Sequence, residues 1–276
     1  MRSIILYYSA KNLSLNDYIK NIVIFHEICI QYNCNLIIDS YFSPLSYFYE
    51  NYNENKNKYD VVMVDSKNII NNYYDFKNFL LTNKEQSIKD NYFILGDELQ
   101  INNEIYFDNY GKCMISKQLI GDEEPIDDNV TSNFKELNDK TKTFIQDIFN
   151  SQLKDENQKI YDNNNNNNNN NNVLYFNYLY DETFPINDVM NFPFYSYRIK
   201  IHLENKDIFL CNNKFFIKYI KTERKDIFFI DTEDTFIKFM QVIKSKRIKY
   251  LSAVTKMDEI ISLSSTLYNI PITIIH

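Results

Sequence analysis

The chain has 276 residues, of which 44% are hydrophobic and 24% are charged, and its formal net charge is −7. This hydrophobic content lies above the range of disordered chains, and the length suits one large domain or two small ones. Because Gly96, Gly111 and Gly121 are its only glycines, the sequence lacks the clustered glycines of a Walker phosphate loop, a dinucleotide fingerprint or a kinase glycine loop.

The first hundred residues alternate short apolar runs with helical patterns. Apolar runs of strand length occupy residues 3–8, 36–38, 61–64 and 92–95. Helical spacing predicts helices at residues 15–32, from residue 43, and from about 66 to 82. Short, fully apolar strands that alternate with helices are typical of a parallel sheet covered on both faces. We therefore predict an α/β fold, with a mainly parallel, doubly wound sheet in the N-terminal half.

The middle of the chain separates two predicted lobes. Residues 99–130 are acidic and are expected to be irregular. Residues 133–153 then show the spacing of an amphipathic helix, with Asn133 and Glu136 in the positions of a capping box. A run of ten asparagines follows at residues 163–172. Such low-complexity sequence offers no apolar surface, so residues 155–172 are predicted to form a disordered linker or insertion.

The C-terminal part carries further strand and helix patterns. Strands are predicted at residues 173–180, 195–203, 208–211, 215–220 and 227–230, with a hairpin turn at Asn212-Asn213. A helix at 235–243, a strand at 248–254, a helix at 257–268 and a strand at 270–275 follow, and the last three make a βαβ unit. The predicted domains are thus an α/β lobe at 1–154, the linker at 155–172, and a mixed α/β lobe with a terminal βαβ unit at 173–276.

Four acidic residues directly follow predicted strands, and they are the candidate catalytic residues Asp39, Asp65, Asp97 and Asp231. In an open parallel sheet, the carboxyl ends of the strands line the crevice where ligands bind. Carboxylates gathered there can hold Mg²⁺ and support the hydrolysis of a phosphate ester. Asp is also a frequent turn and helix-cap residue, and this structural explanation is the favoured one.

The segment at residues 238–256 is basic, and its central cations are Lys244, Lys246, Arg247 and Lys249. Cations grouped between a helix and a strand can contact phosphate groups or RNA. Cations are also stabilised near a helix C-terminus by the helix dipole, and this is the more common explanation.

The four cysteines have no C-x-x-C spacing, and with three histidines the sequence contains no zinc-binding pattern. We expect buried, reduced thiols and therefore a cytoplasmic or nuclear protein. No apolar run is long enough to span a bilayer, so no membrane partner is expected.

These observations favour a non-catalytic subunit or adaptor of an intracellular multiprotein assembly, with other protein subunits as partners and no cofactor. Much of the composition is typical of A/T-rich coding sequence, so most of the aromatic residues are expected to be ordinary core residues. One alternative is an Mg²⁺-dependent enzyme that acts on phosphate esters or nucleic acid through the strand-end aspartates. A second alternative is an RNA-binding subunit that uses residues 238–256.

Overall fold

The computed structural model of the chain describes residues 2–8, 14–31, 34–38, 69–70, 93–95, 104–108, 110–120, 130–150, 172–178, 185–204, 207–223, 228–229, 235–252 and 257–275. The chain divides into two compact units. The first contains Met1–Asp108 and Cys113–Asp162, and the second contains Asn109–Lys112 and Asn163–His276. The predicted linker, apart from Asn172, lies outside the described residues, so the domain boundaries drawn from the sequence stay predictions.

The first unit contains a parallel sheet whose described strands have the order β2-β1-β4-β3. These strands are β1 (Arg2–Tyr8), β2 (Cys34–Ile38), β3 (Ile69–Ile70) and β4 (Phe93–Leu95). Every neighbouring pair is parallel, which agrees with the predicted parallel sheet. The strand predicted at 61–64 and the helix predicted from residue 43 lie outside the described residues. The helix prediction at 66–82 is wrong at Ile69–Ile70, because these two residues pair with β4.

A small antiparallel sheet corrects two expectations for the middle of the chain. Its strands β5 (Ile105–Phe107), β6 (Cys113–Ser116) and β7 (Phe134–Glu136) have β6 in the centre. The segment at 99–130 is therefore not irregular throughout, and β6 continues into a short helix α2 (Lys117–Ile120). The predicted helix also starts later than expected, because residues 134–136 pair with β6 instead.

Two helices form the described core of the first unit. Ser14 caps α1 (Leu15–Gln31), since its Oγ accepts a hydrogen bond from the backbone N–H of Asp17 at 3.1 Å. Asn138 caps α3 (Asp139–Asn150) in the same manner through Lys140. Helix α1 buries apolar side chains at helical spacing, and α3 buries Thr141, Ile145 and Phe149 in the same way.

The described strands of the second unit form a parallel sheet of five strands with the order β10-β9-β8-β11-β12. The strands are β8 (Val173–Asn177), β9 (Ile208–Cys211), β10 (Phe228–Phe229), β11 (Ile248–Ser252) and β12 (Ile272–Ile275). The helices that connect them are α4 (Pro185–His202), α5 (Lys214–Glu223), α6 (Thr235–Ile243) and α7 (Glu259–Tyr268). After β8, the chain adds β9 and β10 on one side of it. The chain then returns to the other side of β8, where it adds β11 and β12.

This strand order determines which helices share a face of the sheet. Right-handed crossovers place α4 and α5 on one face and α6 and α7 on the other, and α4 packs on α5 while α6 packs on α7. The core beneath α4 and α5 is rich in aromatic residues: the Phe216 ring lies 4.9 Å from that of Phe176 and 5.2 Å from that of Phe192, centroid to centroid. β8 and β9 are buried along their whole length, as expected for central strands of a covered parallel sheet.

Two strand predictions in this unit are wrong. Residues 195–203 and 215–220 lie mainly in the helices α4 and α5. Their Tyr, Phe and Ile content favours strands locally, but packing against the sheet determines their conformation. Asn212-Asn213 is accordingly no hairpin turn, since it leads from β9 into α5, where Asn213 Oδ1 caps the helix by accepting from the N–H groups of Phe215 and Phe216. The described strands of the C-terminal lobe thus form a parallel sheet that includes the predicted terminal βαβ unit. The strands predicted at 173–180, 208–211 and 227–230 and the helix predicted at 235–243 are also found, as β8, β9, β10 and α6.

The structure also bears on the thiols and on membrane crossing. Among the described residues, Cys29, Cys113 and Cys211 are buried and form no disulfide, as the sequence predicts. Burial raises the pKa of the Cys211 thiol to about 12, so this thiol stays protonated at neutral pH. Within the described part of the chain, no helix combines the length and the apolar character that a membrane span requires.

Candidate interaction surface

The four candidate catalytic aspartates, Asp39, Asp65, Asp97 and Asp231, all lie outside the described residues. Their mutual distances are therefore undefined, and a Mg²⁺ site at the strand ends stays a prediction. Among the residues that the structure describes, no group of three or more His, Cys, Asp or Glu side chains is placed to hold a metal ion.

Three of the four candidate phosphate-contacting cations lie at the surface. Lys244, Lys246 and Arg247 are exposed in the turn between α6 and β11. The turn is close to the C-terminus of α6, where a helix dipole stabilises positive charge. These three cations are thus exposed in one turn, and their contact with phosphate or RNA stays a prediction.

The fourth cation, Lys249, has a different environment, because its side chain is buried in β11. Its Nζ donates hydrogen bonds to Asp207 Oδ2 at 2.8 Å and to the carbonyl of His202 at 3.1 Å, and it lies 2.8 Å from Glu204 Oε1. Burial alone lowers the pKa of this ammonium group, but the hydrogen bonds to Asp207 and Glu204 outweigh burial and raise it. Two carboxylates thus already neutralise the charge of Lys249, which gives this residue a structural role.

The carboxyl ends of β8 and β11 meet where the strand order reverses, which is where open α/β sheets bind ligands. Here the Asn177 Nδ2 donates to the Tyr250 hydroxyl at 2.8 Å, and the Asn177 Oδ1 accepts from Asn212 Nδ2 at 2.6 Å. The Tyr250 hydroxyl also accepts from the backbone N–H of Asp258 at 2.9 Å, and the Tyr175 hydroxyl donates to Asp258 Oδ2 at 2.8 Å. These polar groups satisfy one another in a network that joins β8, β11 and the start of α7.

Burial governs the ionisation of the two phenols in this network. Burial, followed by the charge of Asp258, raises the pKa of the Tyr175 phenol far above its usual value. Burial likewise raises the pKa of the Tyr250 phenol. Both phenols are therefore protonated near neutral pH and act as hydrogen-bonding groups in the wall of the sheet.

The outer side of α4 has a different character, because it presents large apolar side chains to solvent. Phe194, Tyr197 and Ile201 are 58%, 64% and 57% exposed. Their spacing of i, i+3 and i+7 places them on one side of a helix with 3.6 residues per turn. We name these three residues the α4 stripe. Contiguous exposed apolar residues of this kind mark interaction sites more often than scattered single ones.

The sequence of α4 explains why the stripe is exposed. Phe192, Ser196 and Ile199 occupy the opposite side of the helix, and all three are buried against the sheet. The helix therefore carries apolar residues on two sides, and one sheet can bury only one of them. A helix that is apolar on both sides is typical of an element covered on both sides.

Two cations border the α4 stripe. On the helical wheel, Arg198 lies beside Phe194 and Lys200 lies beside Tyr197, on opposite flanks of the stripe. The guanidinium carbon of Arg198 lies 5.8 Å from the centroid of the Phe194 ring, which is within cation–π range. The exposed surface of α4 is thus an apolar row with positive charge on both sides.

The neighbouring helix α5 continues the same character. Phe215 is 44% exposed, and the ammonium group of Lys214 lies 5.8 Å from the centroid of its ring. Lys218 is exposed on the same helix. Aromatic residues and Arg are enriched in the core of protein–protein interfaces, and Tyr and Arg are frequent at the anchor positions.

Comparison with known proteins gives no family for this chain. No protein-family model matches the sequence, and a search of curated proteins finds no match.

Interpretation of the sequence missed the α4 stripe because it assigned residues 195–203 to a strand. In a strand, Phe194, Tyr197 and Ile201 do not share a side, since side chains alternate with a period of two. The signal was nevertheless present: the same segment has apolar residues at two helical phases, one through Phe192 and Ile199 and one through the stripe. Testing the segment at both periods identifies a helix with two apolar sides, and the sheet then determines which side is exposed.

Proposed function

We propose that this chain is a non-catalytic subunit or adaptor of an intracellular multiprotein assembly, and that the α4 stripe is a surface through which it binds another protein subunit. One observation carries the proposal: Phe194, Tyr197 and Ile201 are each more than half exposed on one side of a folded helix. Covering them in an interface removes apolar area from water, which is the main favourable term in protein association.

Other features of the chain support this proposal over an enzyme. The polar groups at the β8–β11 crevice bind one another, and the clustered glycines that phosphate-binding enzymes need are absent from the sequence. The Mg²⁺-dependent enzyme remains the alternative that Asp39, Asp65, Asp97 and Asp231 raise. No observation on the described residues favours it.

The finer architecture and the location belong to the same proposal. We propose that the N-terminal parallel sheet is doubly wound, as its alternation of apolar strands and helices indicates. A cytoplasmic or nuclear location is supported by Cys29, Cys113 and Cys211, whose buried thiols form no disulfide among the described residues, as is typical of reducing compartments.

The test replaces the α4 stripe with a polar residue that forms helices well, in the variant Phe194→Gln/Tyr197→Gln/Ile201→Gln. The tagged full-length variant and the wild type are purified from the native cell with nuclease present, and stoichiometric partners are identified by mass spectrometry. The identified partner is then produced and mixed with each purified protein. We expect the wild type to bind it and the variant to bind at least about tenfold more weakly.

The chain offers a matched control on another helix. Lys140, Thr143 and Asp147 on α3 are exposed at the same i, i+3, i+7 spacing. The variant Lys140→Gln/Thr143→Gln/Asp147→Gln thus makes three exposed helical replacements without touching the stripe, and it should retain the partner. Circular dichroism checks that both variants are folded. Recovery of the wild-type protein alone, or equal binding by the stripe variant, contradicts the proposal.

A further inference from the structure

We infer that the α4 stripe binds an acidic amphipathic helix of the partner protein, an inference that rests on the proposed function and specifies the chemistry of its partner. The spacing of the stripe sets the shape of this partner. Phe194 and Ile201 are seven residues apart, which is about 10 Å along the helix axis at 1.5 Å per residue. A partner helix that presents apolar residues at i, i+3 or i+4, and i+7 covers the same length.

The charge around the stripe specifies the polar residues of the partner. Helices α4 and α5 together carry five Lys or Arg residues against two carboxylates, which belong to Asp188 and Glu223. Glu223 is already engaged, because its two carboxylate oxygens accept hydrogen bonds from the hydroxyls of Ser196 at 3.0 Å and Tyr219 at 2.7 Å. Positive charge on both flanks of an apolar row favours a partner whose apolar row is flanked by Asp or Glu.

Arg198 is the best-placed residue to contact a carboxylate of the partner helix. Its guanidinium group has five N–H donors in a planar arrangement that suits a carboxylate, and it lies beside Phe194 at the border of the stripe. Lys200 is exposed on the opposite flank. An acidic partner helix therefore has a cation on each side to contact while its apolar side chains cover the stripe.

A second copy of this chain is a poorer occupant. A two-fold symmetric contact through the stripe places the same surface of each copy against the other. Arg198 and Lys200 of one copy then face Arg198 and Lys200 of the next, and juxtaposed like charges disfavour such pairing.

RNA is also disfavoured. Single-stranded RNA stacks its bases on open aromatic faces. The guanidinium group of Arg198 lies over the ring of Phe194, and Ile201 at the end of the stripe has no ring on which a base can stack.

The experiment uses two fluorescently labelled synthetic helical peptides and the full-length protein. Both peptides have about 18 residues, which is five helical turns, with Leu at i, i+3, i+4 and i+7. The polar positions are Glu in one peptide and Lys in the other. By fluorescence anisotropy, we expect the Glu peptide to bind at least about tenfold more tightly than the Lys peptide, and to bind more weakly as salt rises from about 0.05 to 0.5 M.

Charge-reversal variants then assign this preference to the stripe. Arg198→Glu/Lys200→Glu should weaken binding of the Glu peptide at least about tenfold. The matched control Lys246→Glu/Arg247→Glu reverses one Lys and one Arg at exposed positions of the same unit, and it should change the affinity less than about twofold. Equal affinity for the two peptides, or equal effects of the two double variants, overturns the inference.

The remaining outcomes separate this inference from the proposed function. Preferential binding to phosphatidylserine vesicles or to single-stranded RNA over the Glu peptide overturns it. Concentration-dependent self-association that Phe194→Gln/Tyr197→Gln/Ile201→Gln abolishes also overturns it, in favour of a second copy. If the identified partner is lost with that triple variant but retained by Arg198→Glu/Lys200→Glu, the docking role stands and the acidic partner helix is wrong.

Discussion

Lys249 shows how a residue that looks like a surface cation in the sequence acts as a structural residue in the fold. It follows Lys246 and Arg247 in the chain, but its position in β11 points it toward Asp207, the residue just before β9. Asp207 is itself 4% exposed. The pair therefore lies at the end of the sheet where strands β9 and β11 begin, and a buried carboxylate there depends on its cation.

We predict that Lys249→Met destabilises the protein by about 3 kcal/mol, because it leaves the Asp207 carboxylate buried without its cation. The measurement is the free energy of unfolding in urea. Lys246→Met is the control, since Lys246 is exposed, and it should change stability by less than about 0.5 kcal/mol. Adding Asp207→Asn to Lys249→Met removes the unpaired charge and should recover part of the loss. A loss below about 1 kcal/mol for Lys249→Met contradicts this role.

At the scale of elements, the contact between α1 and α3 contains a titratable group. The imidazole of His26 on α1 stacks on Phe144 of α3 at 4.2 Å between ring centroids, and its Nδ1 lies 2.9 Å from Thr141 Oγ1. Burial lowers the pKa of this imidazole from 6.5 to about 4. Because the unfolded chain binds a proton at higher pH than the folded one, this residue stabilises the fold fully above about pH 6.5. The contribution is lost as the pH falls toward 4.

We predict that His26→Gln and His26→Phe both reduce the slope of unfolding free energy against pH between pH 6.5 and 4. Gln tests the loss of titration without an aromatic ring, and Phe tests it with the ring stack on Phe144 preserved. Urea unfolding at several pH values gives the slopes, and ¹H NMR titration of the wild type gives the pKa of His26 directly. An imidazole that titrates near its usual 6.5, or variants with an unchanged slope, contradicts the prediction.

Elements whose local pattern agrees with their tertiary environment could be predicted from the sequence. The apolar residues of α1 recur at helical spacing, and β9 and β11 are short, mainly apolar runs of strand length. These three elements lie where the sequence predicts them. Helices α4 and α5 could not be predicted in this way. Residues such as Phe215 and Tyr219 favour strands locally. The segment is helical because a helix buries Phe216, Ile217 and Ile220 on one side.

The candidate surface on α4 was missed because residues 195–203 were assigned to a strand. Once α4 is a helix, the exposure of Phe194, Tyr197 and Ile201 follows from which side the sheet covers, and no local pattern states that. The parallel order of the strands in the second unit was missed for the same reason. Helices α4 and α5, which the sequence assigned to strands, are the crossovers that make β8, β9 and β10 parallel. Where Asp39, Asp65, Asp97 and Asp231 lie is not described, so the enzyme alternative stays a prediction.

At the scale of the whole molecule, a short segment of the second compact unit interrupts the first unit along the chain. Asn109–Lys112 belongs to the second unit although the residues on either side of it belong to the first. Gly111 is buried in this segment, and its φ of +78° is a conformation that L residues with a side chain rarely adopt. A Cβ at this position would collide with the sulfur of Met257 and press on Ile272 at 3.2 Å.

We predict that Gly111→Ala destabilises the second unit by about 1–2 kcal/mol, because alanine is strained at this positive φ and its methyl group collides with Met257. Hydrogen exchange measured by mass spectrometry locates the effect. Exchange should accelerate in β11 (Ile248–Ser252) and β12 (Ile272–Ile275), far along the chain, and stay unchanged in α1 (Leu15–Gln31). Tyr110→Ala is the control, since Tyr110 is 81% exposed, and it should leave both rates as they are. Faster exchange in α1 than in β12 contradicts the assignment of Gly111 to the second unit, because the strain of the added methyl group then acts on the first.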